Sequence, residues 1–298
     1  SFYRLGSALE PDLASVDEML SRHAGIAKVV LATHYFGFAV PLQALARLCE
    51  QHGALLVEDC SHVCPSQYAS AQLGVTGDFA VGSLYKFSAA ETGGLLWRHP
   101  RERLQSLHES TRSSSPTLAE LKAIVRAWRR GHARLGSCAP PMLTDAGPPG
   151  VDRRSPILSI SSQYEPEAAT RRNPRLASWL ARHTDYQRAS QRRRANYQHL
   201  SEEVRLINAV KAWREGLGTN DVPYVFPLLL LGPAEPTFDM LKRAGVPVGR
   251  WDDMAETNCA HANRYRLHLL HLPVHQDLGR REMDWMLACL RSALGPNV

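Results

Sequence analysis

A buried β-strand is predicted over residues 54–59, which read Ala54-Leu55-Leu56-Val57-Glu58-Asp59. Its continuous apolar character is typical of a strand that is covered on both faces, as in a parallel sheet. Two adjacent carboxylates end it. Ligands of open α/β sheets bind beyond the carboxyl ends of the strands, so these two acids are the first candidates for a functional site.

Two preceding segments combine with this strand into a strand-helix-strand unit. Residues 27–34 have the pattern of another buried strand, and residues 40–52 have that of a helix, with Pro41 suited to its first turn and Gly53 to its end. A strand-helix-strand unit implies that the two strands run parallel. We therefore expect an α/β fold with a mostly parallel sheet and flanking helices.

Two shorter strands are predicted further along, over residues 79–83 and 94–97, with Lys86 and the pair Gly93-Gly94 between them. Three strand ends then carry polar side chains: His34, Glu58-Asp59 and Ser83. Because the carboxyl ends of parallel strands meet at one edge of a sheet, we expect these side chains and Lys86 to share a crevice.

The rest of the chain predicts a second domain. An amphipathic helix is expected over residues 116–135, and the Gly-, Pro- and Ser-rich residues 136–156 form a connection. We therefore predict a large domain over 1–145 and a small α+β domain over 146–298. The small domain contains a long helical stretch with a basic face (173–213), a strand (222–231), a helix (237–244), a strand (267–272) and a final helix (280–294).

Composition narrows the class of protein without identifying it. The chain has 298 residues, a formal net charge of +6 and a sequence pI of about 9.1, which favours anionic ligands such as phosphates or nucleotides. Its six cysteines lack the dense, regular spacing of a small secreted protein, which suits a reducing cytoplasm. Neither a signal peptide nor an apolar run long enough to cross a bilayer is apparent.

An aspartate and a lysine at neighbouring strand ends suit pyridoxal phosphate. A carboxylate beside the pyridine nitrogen keeps the ring protonated, and a lysine amine can hold the cofactor and move protons. Taken singly, Asp59 is more often a turn former and Lys86 a solvated side chain. The case for chemistry rests on the wider pattern.

That pattern resembles the DegT/DnrJ/EryC1/StrS family of pyridoxal-phosphate-dependent sugar aminotransferases. Order and spacing agree, and Lys86 follows Asp59 by 27 residues. The motifs are His34-Tyr35-Phe36-Gly37, the run from His52 to His62, Gly77-Asp78-Phe79, Ser83-Leu84-Tyr85-Lys86 and Gly93-Gly94. The compact Ser-Leu-Tyr-Lys form resembles a variant subgroup, since the family's serine commonly stands further upstream of the lysine.

The resemblance implies a pyridoxal-phosphate fold type I large domain and a role for each matching residue. Lys86 would be the catalytic lysine that binds the cofactor, Asp59 would pair with the ring nitrogen, and His62 would lie near the ring oxygen. Ser83 would contact the phosphate. The implied reaction moves an amino group, from glutamate, to a keto group on a nucleotide-linked sugar or a related precursor of cell-surface polysaccharide, in a homodimer.

The second half resembles the family's small domain. Arg250 falls where a substrate-facing loop is expected, and its guanidinium could grip a carboxylate in a bidentate fork. The arginine run at Arg192-Arg193-Arg194 resembles the family's arginine-rich helix, and we interpret it as a solvated face. The resemblance further implies that part of the large domain precedes Ser1 and that, without it, this chain binds the cofactor weakly.

Alternatives stay open at this point. One is a non-catalytic member that serves dimerisation or ligand binding, in keeping with Glu91-Thr92 before Gly93-Gly94, where the family commonly has Gly-Asp or Pro-Asp. A zinc hydrolase would use Cys60, His62 and Cys64, or His268, His271 and His275, but these spacings are poor and we expect no metal. A sugar dehydratase would have histidine in place of Lys86, and no nucleic-acid-binding module is recognised.

Overall fold

A computed structural model of the chain describes residues 1–26, 28–70, 73–90, 93–98, 175–251, 254 and 256–295. The helix expected over 116–135, the connection over 136–156 and the domain boundary at 145/146 lie outside the described residues. The described residues form two sheets with helices packed around them.

The first sheet has the strand order β1-β2-β3-β4. Strands β1, β2 and β3 run parallel, as predicted, and β4 pairs antiparallel with β3. Helix α1 begins at an N-cap, Asp12, whose side chain accepts a hydrogen bond from the Ser15 amide. The elements of this part are α1 (Leu13–Arg22), β1 (Val29–Thr33), α2 (Gln43–Gln51), β2 (Leu55–Cys60), α3 (Ser66–Ser70), β3 (Phe79–Ser83) and β4 (Gly94–Arg98).

The second sheet is antiparallel, with the order β5-β6-β7. One expectation was wrong here, because the helical stretch predicted to reach residue 213 ends at Val204 and is followed by β5. The elements are α4 (Arg175–Arg182), α5 (Tyr186–Val204), β5 (Val210–Ala212), β6 (Val225–Leu230), α6 (Ala234–Arg243), α7 (Ala260–His268), β7 (Leu269–Pro273) and α8 (Arg280–Leu294). Gly245, at φ +82°, follows the end of α6, as its position predicted.

The largest hydrophobic core surrounds the second sheet and also takes side chains from the first part of the chain. Leu9, Phe36 and Phe38 are buried in it beside Tyr197 of α5 and Phe226 of β6. Burial of one such side chain stabilises the fold by about 1.5–3 kcal/mol. The turn that follows β1 is thereby packed against the second sheet.

This turn has an unusual backbone. Phe36 has φ 60° and Gly37 has φ +88°, and a Cβ atom on Gly37 would lie only 2.2 Å from the carbonyl oxygen of Val222. The carbonyl of Phe36 accepts a hydrogen bond of 2.7 Å from the amide of Tyr224. The carboxyl end of β1 therefore touches the segment that leads into β6, and only glycine fits at position 37.

None of the helices in the described ranges is both long and apolar enough to cross a bilayer. The longest of them, α5, has 19 residues and carries several arginines.

Candidate functional site

Asp59 lies at the carboxyl end of β2 and is half-buried. One carboxylate oxygen accepts a hydrogen bond of 2.8 Å from the Ser61 amide, and the other lies 3.4 Å from the hydroxyl of Thr33 on β1. These two bonds orient the carboxylate at the edge of the sheet where the sequence analysis placed it.

Glu58 points to the opposite face of β2 and is 1% exposed. Its carboxylate accepts hydrogen bonds from the backbone amides of Gly74, Thr76 and Gly77 and from the ring of His34 at 3.0 Å. Burial raises the pKa of Glu58, but the bonds from His34, Gly77 and Gly74 outweigh burial, so that the pKa lies below its usual value. Glu58 thus ties the loop before β3 to the end of β1.

Both ring nitrogens of His34 form hydrogen bonds within the protein. Its Nδ1 accepts the amide of Val40, so the Nε2 proton points to Glu58. Among the described residues, His34, Glu58 and Cys60 form one buried group whose atoms are close enough to hold a metal ion. Both nitrogens of His34 already have partners within the protein, which favours a structural role for this group.

His62 follows β2 and lies between two aromatic rings. Its ring stacks on Tyr224, with centroids 4.6 Å apart and planes 14° apart, and lies nearly parallel to Phe36 at 6.2 Å. Burial, with a smaller contribution from the charge of Lys86, lowers the pKa of His62 to about 3. The ring is therefore neutral at physiological pH. Its Nδ1 accepts the amide of Phe36, which leaves the proton on Nε2.

Lys86 lies in the connection between β3 and β4 and is half-buried. Its Nζ is 5.3 Å from the ring centroid of Tyr224 and 5.9 Å from that of Tyr85. Burial lowers the pKa of Lys86, and the negative charge of Asp59 raises it in part. Tyr224 contacts both Lys86 and His62, and His62 follows Asp59 by three residues at the end of β2. The structure therefore brings Lys86, Asp59 and His62 into one cluster, in which the charge of Asp59 acts on the pKa of both other residues.

Ser83 is the last residue of β3 and is half-buried. It lies opposite Gly94 of β4 in the strand register, and β3 runs parallel to β2. Ser83 therefore lies at the same sheet edge as Asp59, which matches the placement expected from the sequence.

Arg250 has a different environment from the one that the sequence suggested. Its side chain is 5% exposed, and its Nη2 lies 3.1 Å from the carboxylate of Glu235 on α6. The guanidinium also lies 4.0 Å from the ring centroid of Phe238. In this structure Arg250 is thus engaged by side chains of α6, and the structure does not join it to the cluster around Lys86.

Arg193 is the residue that the sequence analysis missed. It was assigned to a solvated face of the basic helix, and this is wrong, because its side chain is buried with 1% exposure. Its guanidinium donates to the carbonyl of Lys86 at 3.0 Å. A usable signal was the spacing to Tyr197, since residues i and i+4 lie on one face of a helix and Tyr197 is a large apolar side chain.

A cavity of about 970 Å³ is lined by β1 and the elements next to it. Its lining is mostly apolar and comes from the N-terminal residues, α1, β1 and α7, and Val29 of β1 is 64% exposed. It reaches the cluster at Thr33 and Tyr35, but its lining contains neither Lys86 nor His62. The cavity and the cluster around Lys86 are therefore lined by different residues.

Known proteins are similar to this chain in the region that contains the family motifs. Residues 6–103 match the sequence model of the DegT/DnrJ/EryC1/StrS aminotransferase family. A GDP-perosamine synthase from Vibrio cholerae is 28% identical over 93 residues, which are 30% of this chain and 24% of that protein. The chain thus spans about a quarter of the length of this curated relative.

Solved structures extend the likeness in fold to nearly the whole chain. PseC of Helicobacter pylori, an aminotransferase of pseudoaminic acid biosynthesis, gives a TM-score of 0.64 at 13% identity, over 98% of this chain and 73% of that one. The aminotransferase TlmJ from Streptoalloteichus hindustanus gives 0.58 at 19% identity, over 98% and 72%. The expected α/β architecture of pyridoxal-phosphate fold type I is confirmed. The resemblance is confirmed for residues 6–103, which match the sequence model of the DegT/DnrJ/EryC1/StrS aminotransferase family.

Proposed function

We propose that this protein is a pyridoxal-phosphate-dependent aminotransferase that acts on a sugar. The observation that carries the proposal is the cluster of Lys86, Asp59 and His62 at the carboxyl edge of the parallel sheet. The match of residues 6–103 to an aminotransferase family supports the reaction class.

The chemistry of the residues present supports pyridoxal phosphate as the cofactor. Pyridoxal phosphate has an aldehyde for an amine, a ring nitrogen for a carboxylate and a flat ring for an aromatic surface. Lys86 offers the amine, Asp59 an oriented carboxylate, and the stacked rings of His62 and Tyr224 a flat surface. When bound, this cofactor supplies an electron-accepting ring for chemistry at a substrate carbon next to the amino group.

The residues of this chain would hold the cofactor and move protons. A lysine with a lowered pKa is a neutral amine more often at neutral pH, so Lys86 can bind an aldehyde and later accept and return a proton at Nζ. Asp59 would hold a positive charge on the ring nitrogen. His62, neutral and protonated at Nε2, would donate a hydrogen bond to an oxygen on the ring. Ser83 would contact the phosphate.

We further propose glutamate as the amino donor and a keto group on a nucleotide-linked sugar as the acceptor. The name of the Vibrio cholerae relative specifies a GDP-linked amino sugar, and the net charge of +6 favours an anionic, nucleotide-linked substrate. Arg250 is proposed to bind the substrate, which requires Glu235 to release its guanidinium. We also propose a homodimer located in the cytoplasm. The five cysteines among the described residues are all free and buried, which suits a reducing compartment.

The proposal is tested by trapping the cofactor on its lysine. Protein incubated with pyridoxal phosphate and reduced with borohydride should carry the adduct on Lys86, as located by mass spectrometry of peptides. Lys86→Arg should abolish the adduct, whereas Lys211→Arg, at an exposed residue of β5, should leave it unchanged. An unmodified Lys86, or adducts spread evenly over all lysines, would overturn the proposal and leave a ligand-binding role without catalysis.

The substrate class needs a separate assay. The protein with bound cofactor should convert a nucleotide-linked keto sugar to the amino sugar with glutamate, and should do so faster than it converts the same keto sugar without its nucleotide. Sedimentation velocity gives the oligomeric state. Equal rates with and without the nucleotide would contradict the acceptor that we propose.

A further inference from the structure

The structure contains a buried arginine that forms no ion pair with a carboxylate among the described residues. Arg193 lies on α5 and is 1% exposed, and among the described residues no carboxylate lies within ion-pair distance of its guanidinium. Burial lowers the pKa of Arg193 to about 10, which still leaves the side chain charged at neutral pH. A buried charge that lacks an opposite charge is costly unless hydrogen bonds satisfy it.

Hydrogen bonds to neutral acceptors do satisfy it. Nε donates to the side-chain oxygen of Gln276 at 2.7 Å, Nη1 to the carbonyl of Tyr224 at 3.0 Å, and Nη2 to the carbonyl of Lys86 at 3.0 Å. The guanidinium also lies 4.5 Å from the ring centroid of Phe87. One side chain therefore joins three segments that are far apart in sequence: the Lys86 connection, the start of β6 and the segment after β7.

Two of these three segments carry parts of the proposed site. The first holds Lys86 itself, and the second holds Tyr224, whose ring lies 5.3 Å from the Lys86 amine and stacks on His62. We propose that Arg193 is a positioning residue, which holds the peptide of Lys86 at a fixed distance from Tyr224 through the planar fork of its guanidinium. A benefit of this positioning for catalysis depends on the proposed function, whereas the placement of Lys86 by Arg193 does not depend on it.

The fork matters more than the charge in this arrangement. A lysine at position 193 would keep a positive charge, but its single nitrogen cannot donate at once to the acceptors on Gln276, Tyr224 and Lys86. Without the fork, the carbonyl of Lys86 loses its donor, and the connection between β3 and β4 is free to turn the Lys86 side chain towards water. Exposure to water raises the pKa of an amine that burial has lowered.

The pH dependence of Lys86 acetylation tests the proposal without any cofactor. Limited acetylation at a series of pH values, followed by mass spectrometry, gives the apparent pKa of each lysine amine. Arg193→Lys and Arg193→Gln should both shift the Lys86 profile upward by about one pH unit. Arg188→Gln, an exposed arginine of the same helix, should leave the profile where it is.

A further variant covers the case in which Arg193 substitutions unfold the protein. Gln276→Ala removes the shortest hydrogen bond of the Arg193 guanidinium at a half-buried position, and it should shift the Lys86 profile in the same direction by a smaller amount. Profiles that coincide with the unsubstituted protein, either in Gln276→Ala or in folded Arg193 variants, would overturn the proposal. So would an unshifted profile in Arg193→Lys alone, since that result would assign the effect to charge.

These outcomes are independent of the proposed function. If borohydride traps no cofactor on Lys86 of the unsubstituted protein while the acetylation profiles still shift, the aminotransferase proposal fails and the positioning role stands. If the adduct forms on Lys86 and the profiles do not move, the positioning role fails and the aminotransferase proposal stands.

Discussion

The amide of Phe36 donates a hydrogen bond of 3.3 Å to Nδ1 of His62. This single contact decides which nitrogen of the neutral ring carries its proton. Phe36 makes it from a left-handed conformation, at φ 60°, which costs an L-residue about 1–2 kcal/mol. The stacking of Phe36 on Trp251, with centroids 5.1 Å apart, helps to hold the conformation. The turn after β1 thus sets the chemistry of a residue that follows β2.

We expect His62 to make stability depend on pH. Its pKa is about 3 in the folded protein and ordinarily 6.5, so below pH 6.5 the unfolded chain binds a proton that the folded protein does not bind. Stability therefore falls as the pH drops from 6.5 towards 3, by at most about 1.4 kcal/mol per pH unit from this residue. His271, with a pKa of about 4, acts in the same direction. The pKa of His275 is lowered as well, mainly by burial. His62→Gln keeps an acceptor for Phe36 and should remove the contribution of His62 to this slope.

Urea unfolding between about pH 7 and pH 5 measures this slope, in a range above the titration of most carboxylates. His23→Gln, at an exposed histidine, should retain the slope of the unsubstituted protein. A full slope in His62→Gln would show that His62 is protonated in the folded state.

Glu58→Gln should destabilise the fold without removing a residue of the proposed cofactor site. The amide group presents one oxygen and one NH₂ to three backbone N–H groups and His34, so at least one buried donor is left without an acceptor. The expected loss is about 3 kcal/mol in the free energy of unfolding. Thermal or urea unfolding checks it, with the exposed Glu202→Gln as a control that should change little.

Glu58 also makes stability depend on pH, but hydrogen bonds to its charged form lower its pKa, whereas burial lowers the pKa of His62. The pKa of Glu58 is lower in the folded protein than in the unfolded chain, so its stabilisation is present above the ordinary value of 4.5 and is lost as the pH falls through the folded pKa. Glu58→Gln should therefore flatten the acid limb of the stability profile. An unchanged acid limb would contradict the direction of this shift.

Gly37→Ala should destabilise the protein far more than Gly53→Ala. Both glycines have positive φ, at +88° and +62°, so an alanine pays the same conformational strain of about 1–2 kcal/mol at either position. Only at Gly37 would the new Cβ also collide with a carbonyl oxygen, that of Val222 at 2.2 Å, whereas nothing lies within 4 Å at Gly53. Denaturation of the two variants compares them directly, and equal losses would mean that the turn after β1 can shift.

Asp59→Asn should make the Lys86 amine easier to deprotonate. The negative charge of Asp59 raises the pKa of Lys86 against the effect of burial, so its removal lowers that pKa further. In the acetylation assay the profile of Lys86 should move to lower pH, while that of the exposed Lys211 stays in place. A shift of Lys86 to higher pH would show that the substitution opens the cluster to water instead.

The sequence predicted most of this arrangement because its signals are local. Strand β2 follows from an uninterrupted apolar run, and the placement of Asp59, Ser83 and Lys86 follows from the rule that parallel strands end at one edge. Arg193 was not predicted in this way. Its spacing to Tyr197 is a local signal that the two share a helix face, but its hydrogen-bond partners come from segments up to 107 residues away, and no local pattern indicates them. The contact of Arg250 with Glu235 was not predicted for a similar reason, since Glu235 lies on a separate helix. The role of Arg250 in substrate binding stays a prediction.

The alternation of β2 separates two neighbouring acids that differ by one methylene group. Because consecutive residues of a strand face opposite sides, the chain can place one carboxylate among backbone amides and the next at the open edge without any intervening turn. The order of Glu58 and Asp59 therefore decides which carboxylate lies on which face, and composition alone does not give that order. A protein with Glu58→Asp and Asp59→Glu together would keep its charge and its size, yet it would offer a side chain of the wrong length on each face.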